Sequence, residues 1–253
     1  MNKFTVRADN LTKRFGALLA LEGLTLEINA GEIFAFLGPN GAGKTTTVKL
    51  FAGLLKPTSG SASVLGFDVS LHPVEAKKAI GLLSDQPFAY PYLTGFEFLR
   101  LAGDLYGVTA AEQRLKIPEL LEMFALTDRA GDMVESYSHG MKQKLALASV
   151  LLHKPKVLFL DEPLVGLDPK SARLVKDIIV ALAGRGVTVF MCTHVIEIAE
   201  KLAHRVGILE RGKLIAMESV ADLKKRMHTA ANLEDMFLQL TGGTEYAELL
   251  KYL

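Results

Sequence analysis

Apolar residues recur along this chain with two different periods, and the switches between them lay out the expected elements. Residues 4–8 and 24–28 alternate apolar with polar, the pattern of half-buried strands. Ile33-Phe34-Ala35-Phe36-Leu37 and Val157-Leu158-Phe159-Leu160 are continuous apolar runs, which predicts strands buried on both faces. Another short strand is expected over 61–65, after the Pro57-Thr58-Ser59-Gly60 break. Helical spacing holds over 48–55 and again from Thr94 to about His153. Thr94-Gly95-Phe96-Glu97 and Thr109-Ala110-Ala111-Glu112 both have capping-box form, so chemistry as well as periodicity marks two helix starts. Beyond this block a helix is expected over 169–183, a strand over 187–192 and a helix over 195–203. A hairpin turning at Arg211-Gly212 and a helical tail from about Ser219 complete the expected order.

Strand and helix therefore alternate on both sides of a helical block, which predicts an α/β fold with an inserted helical subdomain. The 253 residues can bury a sizeable core as one large domain or a domain with a smaller satellite. A net charge of +1 gives no electrostatic case for nucleic acid or acidic lipid as the main partner. The single cysteine, Cys192, leaves no internal disulfide and fits a reducing compartment, where it is expected to pack as a small apolar residue. The N-terminus lacks a signal peptide's apolar segment, and no apolar run approaches the roughly 20 residues needed to span a bilayer. Lys224-Lys225-Arg226 reads as a solvated helix face.

Chemistry enters where the first buried run ends. Gly38-Pro39-Asn40-Gly41-Ala42-Gly43-Lys44-Thr45-Thr46 has the G-x-x-x-x-G-K-[ST] form, placed between a strand and a helix. Such a loop turns backbone N–H groups toward an anion, and the following helix adds about half a positive charge at its start. Lys44 reaches the β- and γ-phosphates of a nucleoside triphosphate, and the Thr45 hydroxyl ligates Mg²⁺. The second buried run ends in Asp161-Glu162. Strand ends of a parallel sheet open onto the ligand crevice, which suits Asp161 to Mg²⁺ and Glu162 to orienting the attacking water. By itself the loop suits a P-loop kinase or GTPase equally well.

Tyr137-Ser138-His139-Gly140-Met141-Lys142-Gln143 resembles the signature motif of ATP-binding cassette (ABC) ATPases. With the phosphate loop, Asp161-Glu162, Leu167-Asp168 and His194 it makes five motifs in that family's order, and the resemblance covers about residues 4–220. It implies an α/β P-loop NTPase (RecA-like) core with an antiparallel β subdomain and an α-helical subdomain inserted over about 88–153, then a helical tail over 221–253. It implies that Glu162, His194 and Lys44 carry hydrolysis, with His194 bonded to the γ-phosphate. Nucleotide would meet Phe15, residues 38–46, and Ser138 and Gly140 of a second subunit packed head-to-tail. Mg²⁺ would meet Thr45, Asp161 and the residue of the Ser84-Asp85-Gln86-Pro87 segment that fills the family's glutamine position. Alignment on Tyr90-Pro91-Tyr92-Leu93-Thr94 selects Asp85, with Gln86 as the alternative.

Local readings stand beside several of these roles. Ser138 and Asp168 also suit helix caps, and Phe15 a core position. Phe88, Tyr90 and Tyr92 suit either a groove for a membrane subunit or buried packing. His139 stands where the family usually has glycine. The family further implies separate transmembrane permease subunits and a cytoplasmic place on the inner face of the cell membrane. The tail around Leu233-Glu234-Asp235-Met236-Phe237 resembles the exporter branch. A soluble ABC-type ATPase acting on ribosomes or DNA is the alternative.

Overall fold

A computed structural model describes residues 4–86 and 89–226. Phe88, the side chains of Lys224-Lys225-Arg226 and the tail over 227–253 lie outside the described residues. In chain order the elements are β1 (Phe4–Phe15), β2 (Leu18–Asn29), β3 (Ile33–Leu37), α1 (Lys44–Phe51), β4 (Ser59–Val64), β5 (Phe67–Asp68), α2 (Pro73–Ala79) and β6 (Ile80–Leu83). Then come α3 (Gly95–Leu105), α4 (Ala110–Met123), α5 (His139–Leu152), β7 (Val157–Asp161), α6 (Pro169–Gly184), β8 (Thr188–Thr193), α7 (Ile196–Leu202), β9 (Arg205–Glu210), β10 (Lys213–Ser219) and α8 (Val220–Arg226).

Two sheets organise these elements. An antiparallel sheet has the order β2-β1-β4-β5, and a second sheet has the order β10-β9-β3-β8-β7-β6. In the second, β9, β3, β8, β7 and β6 run parallel and only the edge strand β10 is antiparallel. All five residues of β3 and all five of β7 are buried, as their unbroken apolar runs require. Along β3 the side chains alternate between two cores: Ile33, Ala35 and Leu37 face one, while Phe34 and Phe36 face the other.

The second core holds a cluster of rings. Phe34 and Phe190 stack at 5.8 Å, Phe51 and Phe159 at 5.7 Å, and Phe51 meets Phe190 edge-on at 5.4 Å. Phe51 closes α1, so this cluster fixes the helix against the sheet. The first core draws on α3, α4, α5 and α6. Both expected capping boxes form: the Thr94 hydroxyl accepts from Glu97 N, the Thr109 hydroxyl from Glu112 N, and each glutamate returns to its cap.

The register brings the chemistry-bearing segments to one edge. Leu37 pairs with Thr193, Asp161 with Cys192, and Leu83 with Leu160. Four parallel strands therefore end together, and the phosphate loop, Ser84-Asp85, Asp161-Glu162 and Thr193-His194 all leave the sheet at its carboxyl edge.

Several boundaries differ from the sequence expectations. The first two strands run on to Phe15 and from Leu18, since cross-strand pairing carries the hairpin past the alternating cores. Helix α1 starts at Lys44 and stops at Phe51, where Gly53 adopts φ +63 and ends the helix. Elements β5, α2 and β6 had no sequence counterpart.

Candidate functional site

The phosphate loop has a conformation that glycine alone accommodates well. Gly43, the residue before α1, sits at φ 110 and provides no side-chain cap. A Cβ there would also strike the Ala20 carbonyl, so the close approach of β2 to the loop depends on glycine. The first N–H groups of α1 are left uncapped by any side chain, which suits an anion.

Lys44 is buried at 7% exposure, and its Nζ donates to Gly38 O at 2.6 Å and Pro39 O at 3.1 Å. The loop thus holds its own cation over its arch. Asn40, Gly41, Gly43, Lys44, Thr45 and Thr46 line a cleft of about 500 Å³ together with Asp85, Asp161 and Glu162. Gly38, Pro39 and Ala42 are not among the lining residues; Ala42 O accepts from Gly212 N at 2.8 Å.

Asp161 is 2% exposed, and its Oδ2 is buried with no hydrogen-bond partner. Burial raises its pKa above the ordinary value of 3.8, and the neighbouring Asp85 and Glu162 push in the same direction. A hydrogen bond from Thr45 and the charge of Lys44 oppose them. A buried, half-unpartnered carboxylate beside a hydroxyl and a second carboxylate is the chemistry that a hard divalent cation satisfies. No cluster of three or more acidic, His or Cys side chains fit for a metal occurs among the described residues. A cation held here would complete its shell with phosphate and water oxygens, as Mg²⁺ commonly does. Of the two residues that could fill the family's glutamine position, Asp85 lines the cleft and Gln86 does not.

Glu162 follows β7 with φ 51, an uncommon left-handed backbone for a residue with a Cβ. Its N–H donates to Cys192 O at 2.9 Å, which ties the turn to the next strand. The carboxylate is held at both oxygens: Oε1 lies 2.7 Å from His194 Nδ1, and Oε2 accepts from the Thr193 hydroxyl at 3.2 Å. His194 Nε2 is consequently the ring nitrogen left for another partner. Thr193 had no role in the sequence reading, although its place just before His194 is a usable signal.

The start of α5 lies apart from this cleft, and none of the cleft-lining residues come from it. Ser138 caps the helix by accepting from Met141 N at 3.3 Å. The loop over 163–167 packs against this start. The His139 ring lies on Gly166, so that a Cβ at 166 would come within 2.5 Å of its Cδ2. Gln143, 2% exposed, donates to Pro163 O at 3.4 Å. Asp168, at the end of that loop, caps α6 by accepting from Lys170 N and Ser171 N, both at 3.0 Å.

Two aromatic readings are settled by exposure. Phe15 is 45% exposed at the end of β1, with Lys13 Nζ 4.9 Å from its ring centre, and so is no core residue. It does not line the cleft itself; Leu18, Leu19 and Ala20 of the same hairpin do. Tyr92 is 77% exposed, which removes the buried-packing alternative for it. Cys192 is fully buried, and burial pushes its thiol pKa well up, as suits an inert packing residue.

Comparison with known proteins agrees with this arrangement. The ABC transporter family model matches residues 21–165. The linearmycin resistance ATP-binding protein of Bacillus subtilis is 36% identical over 93% of this chain and 74% of its own length. A daunorubicin resistance ATP-binding protein of Streptomyces coeruleorubidus is 40% identical over 88% of this chain and 70% of its own. A solved ATP-binding subunit of an ABC transporter superposes with a TM-score of 0.87 at 30% identity, covering 93% of this chain and 99% of that one. A dimeric, post-hydrolysis ATP-binding cassette bound to ADP and Pi superposes at 0.77 with 28% identity, over 85% and 98% of the two chains. With the phosphate loop, the acidic strand end and the histidine gathered at one sheet edge, the chain belongs to the ABC transporter family, among its ATP-binding subunits.

Proposed function

We propose that this chain hydrolyses ATP to drive a separate membrane permease, in the direction of export. The observation that carries the hydrolytic reading is the Glu162 carboxylate, held by His194 and Thr193 at the mouth of the cleft containing Lys44 and Asp161. Residues 38–46 cradle the phosphates, with Lys44 exchanging its loop carbonyls for β- and γ-phosphate oxygens. Thr45 and Asp161, with Asp85 nearby, would hold Mg²⁺, which would neutralise charge on the phosphates. Glu162 orients a water and takes its proton as the water oxygen attacks the terminal phosphorus. The bond to the leaving ADP oxygen breaks in line, and His194, with Nδ1 donating to Glu162, donates to the phosphoryl group from Nε2 when the ring carries both protons.

The start of α5 completes the site of a second copy packed head-to-tail, with Ser138 and Gly140 on its terminal phosphate and Phe15 beside the adenine. A dimeric neighbour of like fold supports that pairing. No helix among the described residues is long and apolar enough to cross a membrane, so in this reading the pathway belongs to permease chains. They would hold the cassette at the inner face of the membrane, through a surface that includes the exposed Tyr90 and Tyr92. Export is supported by the drug-resistance relatives. The domain reading is a cassette over 4–220 with its helical insertion at 88–153 and a tail over 221–253.

Glu162→Gln is the test. It should bind ATP, lower turnover by roughly 10²- to 10⁴-fold, and accumulate as an ATP-bound dimer on size-exclusion chromatography. Turnover near that of the wild type would remove Glu162 from the role of base.

A further inference from the structure

The turn between β9 and β10 consists of Arg211 and Gly212, at φ 46 and φ 80. Two-residue hairpin turns with both residues at positive φ favour Asn, Asp or Gly at the first position, so a long cation there is locally disfavoured. The turn is also fixed in place. Gly212 N donates to Ala42 O of the phosphate loop, and Gly212 O accepts from Glu22 N of β2, both at 2.8 Å. Anchored in this way, Arg211 lines the nucleotide cleft alongside Asn40, Gly41 and Leu18.

Its side chain is 92% exposed, and its one ion-pair partner among the described residues is Glu210, with Oε1 4.0 Å from Nε. That distance is at the limit of an ion pair and leaves most of its donor fork available. The cleft's other cation, Lys44, is buried and engaged with loop carbonyls. One cation is thus buried within the loop, and the other stands exposed where the hairpin turn meets the cleft.

We propose that Arg211 is a second cationic contact for the nucleotide, gripping the phosphate chain on the side away from the terminal phosphate. A planar fork at the cleft mouth matches phosphate oxygens. The contact is one that ATP and ADP share, so it retains ADP after hydrolysis as well as recruiting ATP. This inference rests on the reading of the cleft as a nucleotide site.

The test is equilibrium binding of fluorescent ATP and ADP analogues to the full chain, comparing wild type with Arg211→Asn, Arg211→Lys and Lys44→Ala. Arg211→Asn should weaken both nucleotides by a similar factor, about tenfold. Its nucleotide-free melting temperature should be unchanged or higher, because Asn suits the left-handed turn and the fold stays intact. Arg211→Lys should fall between, and added salt should narrow the gap to wild type. Wild-type affinity for both nucleotides in Arg211→Asn would overturn the proposal, and so would a loss confined to ATP. Failure of the wild type itself to bind, or equal binding by Lys44→Ala, would instead overturn the nucleotide reading of the cleft.

Discussion

The phosphate loop and the start of α5 both present a helix N-terminus, and they differ in what surrounds it. At the loop, Gly43 supplies no side-chain cap, Lys44 is buried, and Asp161 keeps one carboxylate oxygen without a partner. At α5, Ser138 already caps the helix, Ser138 and His139 are exposed, and the cleft takes no residue from it. The first region stores unsatisfied polar groups inside walls, where a ligand can settle them with large effect. The second has its helix start capped and open to solvent, so that start gains leverage only when something covers it. One region is enclosed enough to act as a site; the other, in the function proposed above, is half of one.

Three substitutions separate the two regions, and the first has the largest expected effect. Lys44→Ala should reduce ATP affinity of the isolated chain by at least about 100-fold, as read by the same fluorescence titration, because it removes the cleft's one buried cation. Ser138→Ala should leave that titration unchanged and lower steady-state hydrolysis by about tenfold, since its contact belongs to the paired state. A fall in monomer affinity for Ser138→Ala would erase the contrast between the regions.

Asp161→Asn gives the smallest effect and a specific pH dependence. Asp161 has a folded pKa raised above 3.8 by burial, so the folded chain holds this proton more tightly than the unfolded one. Its contribution is fully present below the unfolded pKa and is lost as pH rises through the folded value. Urea unfolding without nucleotide should therefore show Asp161→Asn gaining stability relative to wild type as pH climbs above 3.8, then levelling off. A constant difference across that range would mean that the carboxylate is not desolvated as described.

Those regions were also legible in the sequence to different degrees. The loop and the acidic strand end could be read because their chemistry depends on fixed local spacing after an apolar run, whereas His194 stood out only through the order of the motifs it shares with the family. The capping boxes of α3 and α4 were readable from fixed local spacing too. Strand β6, by contrast, is four residues long and directly follows α2, too short to show a period of its own. The placement of β3 between β8 and β9 left no trace in the sequence, since parallel neighbours are joined by long crossovers. Arg211 read only as part of a turn, because its position in the cleft depends on a bond from Gly212 to Ala42. The Thr193–Glu162 bond is likewise visible only once β7 and β8 lie side by side.

The His139 ring resting on Gly166 constrains how the chain can be altered. Where the first position of α5 carries a ring, position 166 cannot gain a Cβ without displacing it, and its φ of +76 already discourages one. Substitutions at these two positions should therefore be order-dependent: a side chain at 166 meets less resistance once His139→Gly has removed the ring. Varying 139 alone is free of this clash whereas varying 166 alone meets it, so the two positions are best varied together.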